Sequence, residues 1–284
     1  MRFPYAREVP REQIHVERAL SAQEVSALVE AGPAIIRRAL VRPPGASEFA
    51  RVVEGAGVAA GSTLVVYRVA AAELAEINRA FESRVYTSSL GDIWPDERAL
   101  IEERLPPSGA RVLEVCCGNG RVAPYLVYEG NRVVAVDRSR DCVAFASATD
   151  RAGVTYLAAD ACALPFGDRA FDTGCVFENS LGVLFDKQVD AVKELVRVTR
   201  KQLLLGFRTL EGDRPPSDGR YDVYTSREGF IEIAETFTPE EAEALLGGMS
   251  RIREIERRSG ERRPWGGREH FLVAHLDWLP KTNT

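Results

Sequence analysis

The chain has 284 residues, of which 45% are hydrophobic and 28% are charged, a composition typical of a soluble globular protein. The length is enough for one large domain or two small ones. The formal net charge of −5 disfavours a nucleic-acid partner, which usually requires a basic face. No apolar run approaches the ~20 residues that a membrane-spanning helix needs, so we also expect no membrane partner.

The N-terminal sequence and the cysteines indicate the compartment. The opening MRFPYAREVPREQ lacks the apolar section of a secretory signal. The five cysteines form no CxxC pair, which favours free thiols in a reducing compartment over a disulfide framework. The three histidines do not cluster with cysteines at metal-ligand spacing, so no metal site is predicted. The sequence therefore predicts a cytoplasmic protein.

Residues 1–85 are predicted to form a small N-terminal α/β extension. The segment Ser21–Glu24 has the form of a capping box at a helix start. Residues 34–41 and 63–69 have the apolar, β-branched pattern of strands, and residues 47–54 between them are predicted to be a short helix. Because two strands bury little apolar surface, we expect this extension to pack on a larger domain, as a lid, a substrate-binding element or a homodimer element.

Residues 86–284 are predicted to form the catalytic domain. From residue 110 onward, short apolar runs alternate with helical segments, which indicates parallel strands covered on both faces. Two closely spaced strands near the C-terminus indicate an antiparallel ending. We therefore predict an α/β fold with a doubly wound, mostly parallel sheet and an antiparallel last strand. Helices are predicted in this domain at 96–104, 119–128, 139–151 and 186–198, with a Thr-Pro-Glu-Glu helix start at Thr238, and a further helix is predicted at 71–84, at the end of the extension.

A glycine-rich turn follows the first predicted strand of this domain. In Arg111–Gly120 (RVLEVCCGNG), Gly118 and Gly120 allow the backbone to approach a ligand and to adopt conformations closed to other residues. The next helix would offer unpaired N–H groups at its N-terminus. A turn of this kind, taken alone, also fits a plain strand-to-helix connection.

Two carboxylates end the next two predicted strands. In a doubly wound sheet, an acid at the tip of the second strand, here Asp137, reaches the ribose hydroxyls of a bound nucleoside. Asp137 could instead cap the helix that begins near Ser139. The third strand ends in Asp160. The turn and the two acids together favour a nucleoside-containing cofactor.

The order of these motifs resembles that of the class I S-adenosylmethionine-dependent methyltransferase family, of the small-molecule type. The resemblance covers roughly residues 96–280 and implies a Rossmann-like fold with S-adenosyl-L-methionine as cofactor. The residues that carry it are Glu114, Gly118-x-Gly120, Asp137, Asp160-Ala161, Leu164-Pro-Phe166 and Phe171-Asp172.

The resemblance implies how the methionine end of the cofactor is bound. Glu114 would contact the methionine amino group, directly or through water. Gly118, Asn119 and Gly120 would lie against the methionine moiety. Cys116 stands where the family usually has its first glycine, so it needs either ordinary backbone torsions or a slightly shifted ligand.

The resemblance also implies how the adenosine is bound. Asp137 would hold the ribose diol, with Arg138 next to it in the chain. Asp160 would accept from the adenine amino group, with Ala161 beside the ring. Phe177, at the end of the fourth strand, is expected to border the transferred carbon of the cofactor, because ligands of doubly wound sheets bind beyond the carboxyl ends of the strands.

A nicotinamide dinucleotide is the main rival cofactor. The segment from Gly118 to Ala123 fits the variant of the dinucleotide fingerprint that has alanine in third place. However, Asp160 and the Leu-Pro-Phe and Phe-Asp segments have no dinucleotide counterpart. S-adenosylmethionine therefore remains the favoured cofactor.

Acceptor-side candidates follow the fourth strand, because ligands of such sheets bind beyond the carboxyl ends of the strands. Glu178 could accept a proton or bind a cationic substrate, and Ser180 would contact the substrate. The Asn-Ser-Leu-Gly segment that begins at Asn179 resembles small-molecule methyltransferases, including some that act on amines. The alternative is a solvated loop in which Asn179 caps a turn.

Two other segments supply further candidates. Tyr86, Asp92 and Trp94 precede the core and could form a lid that excludes water, although Trp94 alone also fits a hydrophobic strap. Tyr86, Glu178 and Asn179 are thus the catalytic candidates. Long irregular loops such as residues 207–224 are often functional. The substrate candidates in this loop are Arg208, Arg220, Tyr221 and Tyr224, while the arginines at 251, 253, 257, 258, 262, 263 and 268 are expected mostly on a solvated face.

Three functions fit this reading. The first is methyl transfer from S-adenosylmethionine to the oxygen, nitrogen or carbon of a small molecule. The second is a non-methylating enzyme of the same fold that cyclises S-adenosylmethionine and releases methylthioadenosine, because a fold does not fix a reaction. The third is a non-catalytic partner protein that binds S-adenosylmethionine.

Overall fold

The computed structural model describes residues 11–31, 34, 36–53, 55–70, 73–88, 91–105, 109–209, 221–226, 229–263 and 267–277. The chain divides into two compact units. The first contains residues 1–81 and 214–233, and the second contains residues 82–213 and 234–284. This division differs from the sequence-based one at residue 85, because a segment from the predicted catalytic domain belongs to the first unit.

The first unit is built on a four-stranded antiparallel sheet with the order β1-β4-β2-β3. Helix α1 packs on it, and Val25 of α1 lies in a core with Leu64 and Val66. The predicted capping box is present, since the Ser21 hydroxyl accepts from the Glu24 N–H and the Glu24 carboxylate accepts from the Ser21 N–H. The elements are β1 (Arg11–His15), α1 (Ala22–Glu30), β2 (Ile36–Arg42), β3 (Ala50–Arg51) and β4 (Thr63–Val69).

The predicted helix at 47–54 is wrong. Ala50 and Arg51 form the short edge strand β3, which pairs with Val41 and Leu40 of β2. Pairing with β2 supplies the backbone hydrogen bonds that a helix would have supplied. A two-residue strand is too short to show an alternating pattern in the sequence.

The segment 214–233 belongs to the first unit because of contacts with helix α2 (Leu74–Phe81). The buried Asn78 side chain acts like a neighbouring strand: its amide donates to the Ile233 carbonyl at 2.7 Å and accepts from the Ile233 N–H at 2.9 Å. The Phe81 ring meets Tyr224 edge-on at 5.7 Å. Two short strands, β10 (Tyr221–Thr225) and β11 (Ile231–Glu235), pair with each other here.

The second unit contains a seven-stranded sheet with the order β12-β13-β9-β8-β5-β6-β7. Strands β5 to β9 are parallel, whereas β13 runs antiparallel to both β9 and β12. This arrangement confirms the predicted doubly wound sheet with an antiparallel ending. Its strands are β5 (Arg111–Val115), β6 (Arg132–Asp137), β7 (Thr155–Ala158), β8 (Phe171–Val176), β9 (Thr199–Thr209), β12 (Ile252–Arg262) and β13 (Arg268–Leu276).

Helices cover both faces of this sheet. Buried residues of α6 and α7 pack on one face and those of α3 and α4 on the other, so the sheet lies between two apolar cores. The predicted cap at Thr238 is confirmed, because its hydroxyl accepts from the Glu241 N–H. The helices are α3 (Pro95–Arg104), α4 (Ala123–Leu126), α5 (Arg140–Thr149), α6 (Gln188–Val198) and α7 (Pro239–Leu246).

Two helices are shorter than predicted. The one expected over 119–128 is reduced to the four residues of α4, because Gly118 and Gly120 have positive φ and residues 128–130 form a 3₁₀ turn. The one expected over 71–84 ends as an α-helix at Phe81 and continues as a π-helical turn, Glu82–Tyr86.

All five cysteines are free thiols. Among the described residues, no helix is both long enough and apolar enough to cross a membrane.

Candidate functional site

The turn after β5 has an unusual backbone. Cys116 has φ +57°, and Gly118 and Gly120 have φ +54° and +81°. A left-handed backbone strains a residue that carries a Cβ by about 1–3 kcal/mol. Of the two alternatives for Cys116, ordinary torsions are therefore excluded, because the cysteine adopts the conformation that suits a glycine. Such strain is often kept where a backbone must approach a ligand.

The two glycines of the turn have different roles. A Cβ at Gly120 would lie 2.8 Å from the Tyr156 hydroxyl and 2.9 Å from the Ala146 Cβ, so packing alone requires glycine there. A Cβ at Gly118 would meet nothing within 4 Å. Open space therefore borders Gly118, and a ligand can reach the backbone at this point.

Asp137, at the tip of β6, holds the turn in place. Its Oδ2 accepts from the Gly118 N–H at 2.8 Å, and its Oδ1 accepts from the Ser139 N–H at 2.8 Å. Burial raises the pKa of this carboxyl, and the two backbone bonds oppose the rise. Each oxygen keeps a second lone pair that can accept from a hydroxyl. The side chain thus both supports the start of α5 and remains able to hold a ribose diol.

Glu114 is a buried carboxyl at the centre of the sheet. The residue is only 3% exposed, and its Oε2 has no hydrogen-bond partner among the described residues. Burial raises its pKa to about 8. A buried polar atom without a partner is unusual in proteins and indicates a bound water or ligand. An ammonium group, such as that of methionine, would satisfy it.

The adenine-side candidates lie at the same edge of the sheet. Asp160 follows β7, which is the neighbour of β6, and it is exposed. Its Oδ1 accepts from the Cys162 N–H at 2.9 Å, so the carboxylate is held on one side and open on the other. Ala161 is buried in the core with Leu164.

Three further cofactor candidates contact the chain around them. The Asn119 amide donates to the Tyr86 carbonyl at 3.1 Å, which fixes the glycine turn to the π-helical turn. Arg138 forms an ion pair with Glu82 of that same turn at 3.1 Å. The Phe177 side chain is buried in the core between the sheet and α3, so a cofactor would meet its backbone rather than its ring.

On the acceptor side, Glu178 is an ion-paired carboxylate. Its Oε2 lies 2.7 Å from Nη2 of Arg121, and its Oε1 accepts from the Trp94 indole N–H at 3.4 Å. Arg208 approaches the same carboxylate at 3.8 Å. Glu178 also has a left-handed backbone, with φ +50°. This geometry does not fit a solvated loop.

Asn179 is buried and uses both ends of its amide. Its Nδ2 donates to the Glu235 carbonyl at 2.8 Å, and its Oδ1 accepts from the Arg208 N–H at 3.2 Å. These bonds join β9 to the last residue of β11, so the Asn179 side chain holds the two strands in position. Ser180 donates its hydroxyl to the Phe177 carbonyl at 2.7 Å, which tightens the same loop.

The segment before α3 approaches the acceptor side. Trp94 is half-buried, and the Arg263 guanidinium lies over its ring at 4.8 Å. Arg263 is itself buried and is paired with Asp96 at 3.1 Å, so the expectation of a solvated face is wrong for this arginine. Tyr86 is half-buried at the end of the π-helical turn.

The remaining substrate candidates fall in different parts of the chain. Arg208 lies on β9 in the second unit and is buried. Tyr221 and Tyr224 lie on β10 in the first unit. Arg220 lies outside the described residues. The substrate roles of these residues stay predictions.

Sequence reasoning missed the partners of Glu178. Arg121 forms a forked pair with Glu97, with N–O distances of 2.6 and 2.9 Å. Glu97 is fully buried, and its carboxylate also accepts from the Trp94 N–H at the start of α3. The only signal in the sequence was the position of Arg121 directly after Gly120.

Comparisons with known proteins agree with this site. Residues 112–202 match the family described as methyltransferase domain. The chain is 36% identical over 107 residues to malonyl-[acyl-carrier protein] O-methyltransferase of Enterobacter lignolyticus, covering 38% of this chain and 41% of that protein. It is 36% identical over 98 residues to demethylmenaquinone methyltransferase of Thermobifida fusca, covering 33% of this chain and 40% of that protein. The matches therefore span about two fifths of these relatives.

Solved structures share the fold at low sequence identity. The CcbJ methyltransferase of Streptomyces caelestis superposes with a TM-score of 0.55 at 19% identity, covering 70% of this chain and 97% of that chain. The [4+2]-cyclase SpnF superposes with a TM-score of 0.53 at 17% identity, covering 72% of this chain and 96% of that chain. At this level of identity the likeness shows the fold.

The family match and the site lie on the same residues. The matched segment contains Glu114, Gly118, Asp137 and Asp160, which are the residues that would hold S-adenosylmethionine. The unpartnered Glu114 oxygen and the open space at Gly118 fit that cofactor. Residues 112–202 thus match the methyltransferase-domain family, and the candidate cofactor residues lie within that match.

Proposed function

We propose that the protein transfers a methyl group from S-adenosylmethionine to a small-molecule acceptor. The observation that carries the proposal is the buried carboxyl of Glu114, whose Oε2 has no hydrogen-bond partner within the described part of the chain. It lies beside the strained turn, within the segment that matches a methyltransferase domain. The cofactor, when bound, supplies an activated methyl group on a positively charged sulfur. The protein then has to bind, orient and shield the reactants, which is orientation catalysis.

The chain's own residues divide this work. Glu114 receives the methionine ammonium, the Gly118 backbone lies under the methionine moiety, and Asp137 receives the ribose hydroxyls. Asp160 and Ala161 border the adenine. These assignments rest on the open groups described above and on the family motifs.

On the acceptor side, Glu178 orients the acceptor. Its carboxylate is itself held by an ion pair with Arg121 and by a hydrogen bond from the Trp94 indole, which together restrict its direction. Asn179 and Ser180 shape the loop that carries it, while Tyr86 and Trp94 limit the entry of water. Arg208, in the same unit as Glu178, remains the candidate for recognising the rest of the acceptor.

The relatives leave the acceptor open. One is named as an O-methyltransferase and another as a demethylmenaquinone methyltransferase. A structure with the same fold is named as a [4+2]-cyclase. Because a fold does not fix a reaction, the products must decide between methyl transfer and cyclisation of the cofactor.

The test is incubation with S-adenosylmethionine and a metabolite extract, followed by mass spectrometry of the nucleoside and of the acceptor. S-adenosylhomocysteine together with a product heavier by one CH₂ supports methyl transfer. Methylthioadenosine instead supports the cyclising alternative. Asp137→Ala should abolish either product, whereas Asp141→Ala, an exposed position on α5, should not.

A further inference from the structure

Arg121 joins three parts of the second unit. It follows the glycine turn, its guanidinium forms the forked pair with Glu97 of α3, and its Nη2 also lies 2.7 Å from Glu178. The Arg121 side chain is 14% exposed and that of Glu97 is 0% exposed. One cation is thus shared by two carboxylates where the glycine turn, α3 and the loop after β8 meet.

Stability alone is a weak reason for such a cluster. Removing charges from water is costly, and a buried ion pair often contributes no more to folding than apolar residues of the same size. What the cluster provides is geometry, because the planar guanidinium binds in fixed directions that a lysine ammonium does not share. The geometry it fixes is that of Glu178.

Glu178 is the exposed member of the cluster. Its side chain is 24% exposed, and it is presented by two consecutive residues with left-handed backbones, Glu178 and Asn179. Backbone strain of this kind concentrates at functional sites. One carboxylate oxygen is held by Arg121 and the other by the Trp94 indole, which leaves the orientation of the group little freedom.

The carboxylate lies close to the methionine end of the cofactor site. Strand β8, which leads into Glu178, is paired with β5, and Cys175 lies opposite Glu114 in the register. Arg121 is separated from Gly118 by only two residues. The end of the site where a sulfonium would lie is therefore next to a carboxylate whose direction is set by Arg121.

We propose that Arg121 is a positioning residue that holds the Glu178 carboxylate at the methyl-transfer end of the cofactor site, facing the positive charge of the sulfonium. The inference rests on the proposed function. It explains how the site distinguishes the cationic methyl donor from the neutral thioether that remains after transfer. A fixed carboxylate favours the donor and promotes release of the product.

The test measures ligand affinities and needs no acceptor. Calorimetry gives the Kd of S-adenosylmethionine, of S-adenosylhomocysteine and of sinefungin, in which an ammonium-bearing carbon replaces the methylsulfonium. In the wild type we expect both cationic ligands to bind more tightly than S-adenosylhomocysteine. We define the preference as the Kd of S-adenosylhomocysteine divided by the Kd of the cationic ligand. In Arg121→Met and Glu178→Gln this ratio should fall about tenfold, while the Kd of S-adenosylhomocysteine itself changes less than about twofold.

The controls separate positioning from folding. Arg121→Lys keeps the positive charge but loses the planar guanidinium that binds Glu97 through two nitrogens. Its preference for the cationic ligands should therefore lie between those of Arg121→Met and the wild type. If Arg121→Met does not fold, Arg121→Lys replaces it in the test. Arg98→Met, an exposed arginine of α3, should change nothing. An unchanged preference, or an equal loss for all three ligands, overturns the inference. If none of the ligands binds the wild type, the proposed function itself fails.

Discussion

The carboxyl of Glu114 connects one residue to the chemistry of the cofactor. Burial raises its pKa to about 8, so without ligand it is largely protonated at pH 7. An adjacent ammonium would favour the ionised form, because opposite charges stabilise each other at short range. Binding of the cofactor should therefore expel a proton from this group.

We predict that S-adenosylmethionine binds more tightly as the pH rises from about 6 to 8, with up to one proton released per cofactor at pH 7. Calorimetry in buffers of different ionisation enthalpy measures that proton. Glu114→Gln should bind the cofactor at least about tenfold more weakly and release no proton. Proton release that persists in the glutamine variant would assign the titration to another group.

At the scale of elements, the parts of the site that lie within one strand and its following turn were predictable. The glycine turn after β5, Asp137 at the end of β6 and Asp160 after β7 are local patterns, and the structure places all three at one edge of the sheet. The capping boxes of α1 and α7 were predictable for the same reason.

Features that depend on the packing of distant segments were not predictable. The shared ion pair of Arg121 requires α3, the glycine turn and the loop after β8 to meet, and no sequence spacing reveals that. Glu97 lies in the first turn of α3, a position that gives no sign of its burial. The edge strand β3 depends on its partner β2 rather than on its own sequence.

The Asn179 side chain links two strands, and its removal should therefore destabilise the fold. Its amide joins β9 to the last residue of β11, Glu235, and Asn179 is 1% exposed. Asn179→Ala leaves a buried carbonyl and a buried N–H without their partner, so we expect the free energy of unfolding to fall by about 2–3 kcal/mol. Urea denaturation checks this, with Asn179→Asp as the matched variant that keeps one of the two bonds. A loss below about 0.5 kcal/mol would contradict the positioning role.

At the scale of the whole molecule, buried acids set how stability depends on pH. Glu269 on β13 is fully buried, both of its carboxylate oxygens lack hydrogen bonds to the described residues, and burial raises its pKa to about 8. The usual pKa of glutamate is about 4.3. Between these values the folded protein keeps a proton that the unfolded chain loses. The contribution is therefore fully present below about pH 4 and is lost as the pH rises towards 8.

We predict that the free energy of unfolding falls between pH 5 and 8, and that Glu269→Gln makes this fall shallower by up to about 1.4 kcal/mol per pH unit. Urea denaturation at pH 5, 6, 7 and 8 measures the slope. Glu254→Gln, at an exposed position of β12, is the control that should leave the slope unchanged. The same slope in wild type and Glu269→Gln would show that Glu269 does not retain its proton.

The two units raise different expectations for the molecule as a whole. The second unit contains the cofactor residues, whereas the first contains the tyrosines of β10 that remain substrate candidates. We predict that cofactor binding depends on the second unit. Tyr221→Phe and Tyr224→Phe, both in the first unit, should therefore leave the Kd of S-adenosylmethionine unchanged, and a calorimetric titration of each variant checks this.

A calorimetric titration of the full chain with S-adenosylmethionine tests most directly whether the protein binds this cofactor. We predict saturable binding at one site per chain. Asp137→Ala should weaken this binding at least about tenfold, because the variant removes the acceptor for the ribose hydroxyls and the support of the Gly118 turn, while Asp141→Ala should match the wild type. No binding by the wild type, or equal binding by Asp137→Ala, would contradict it.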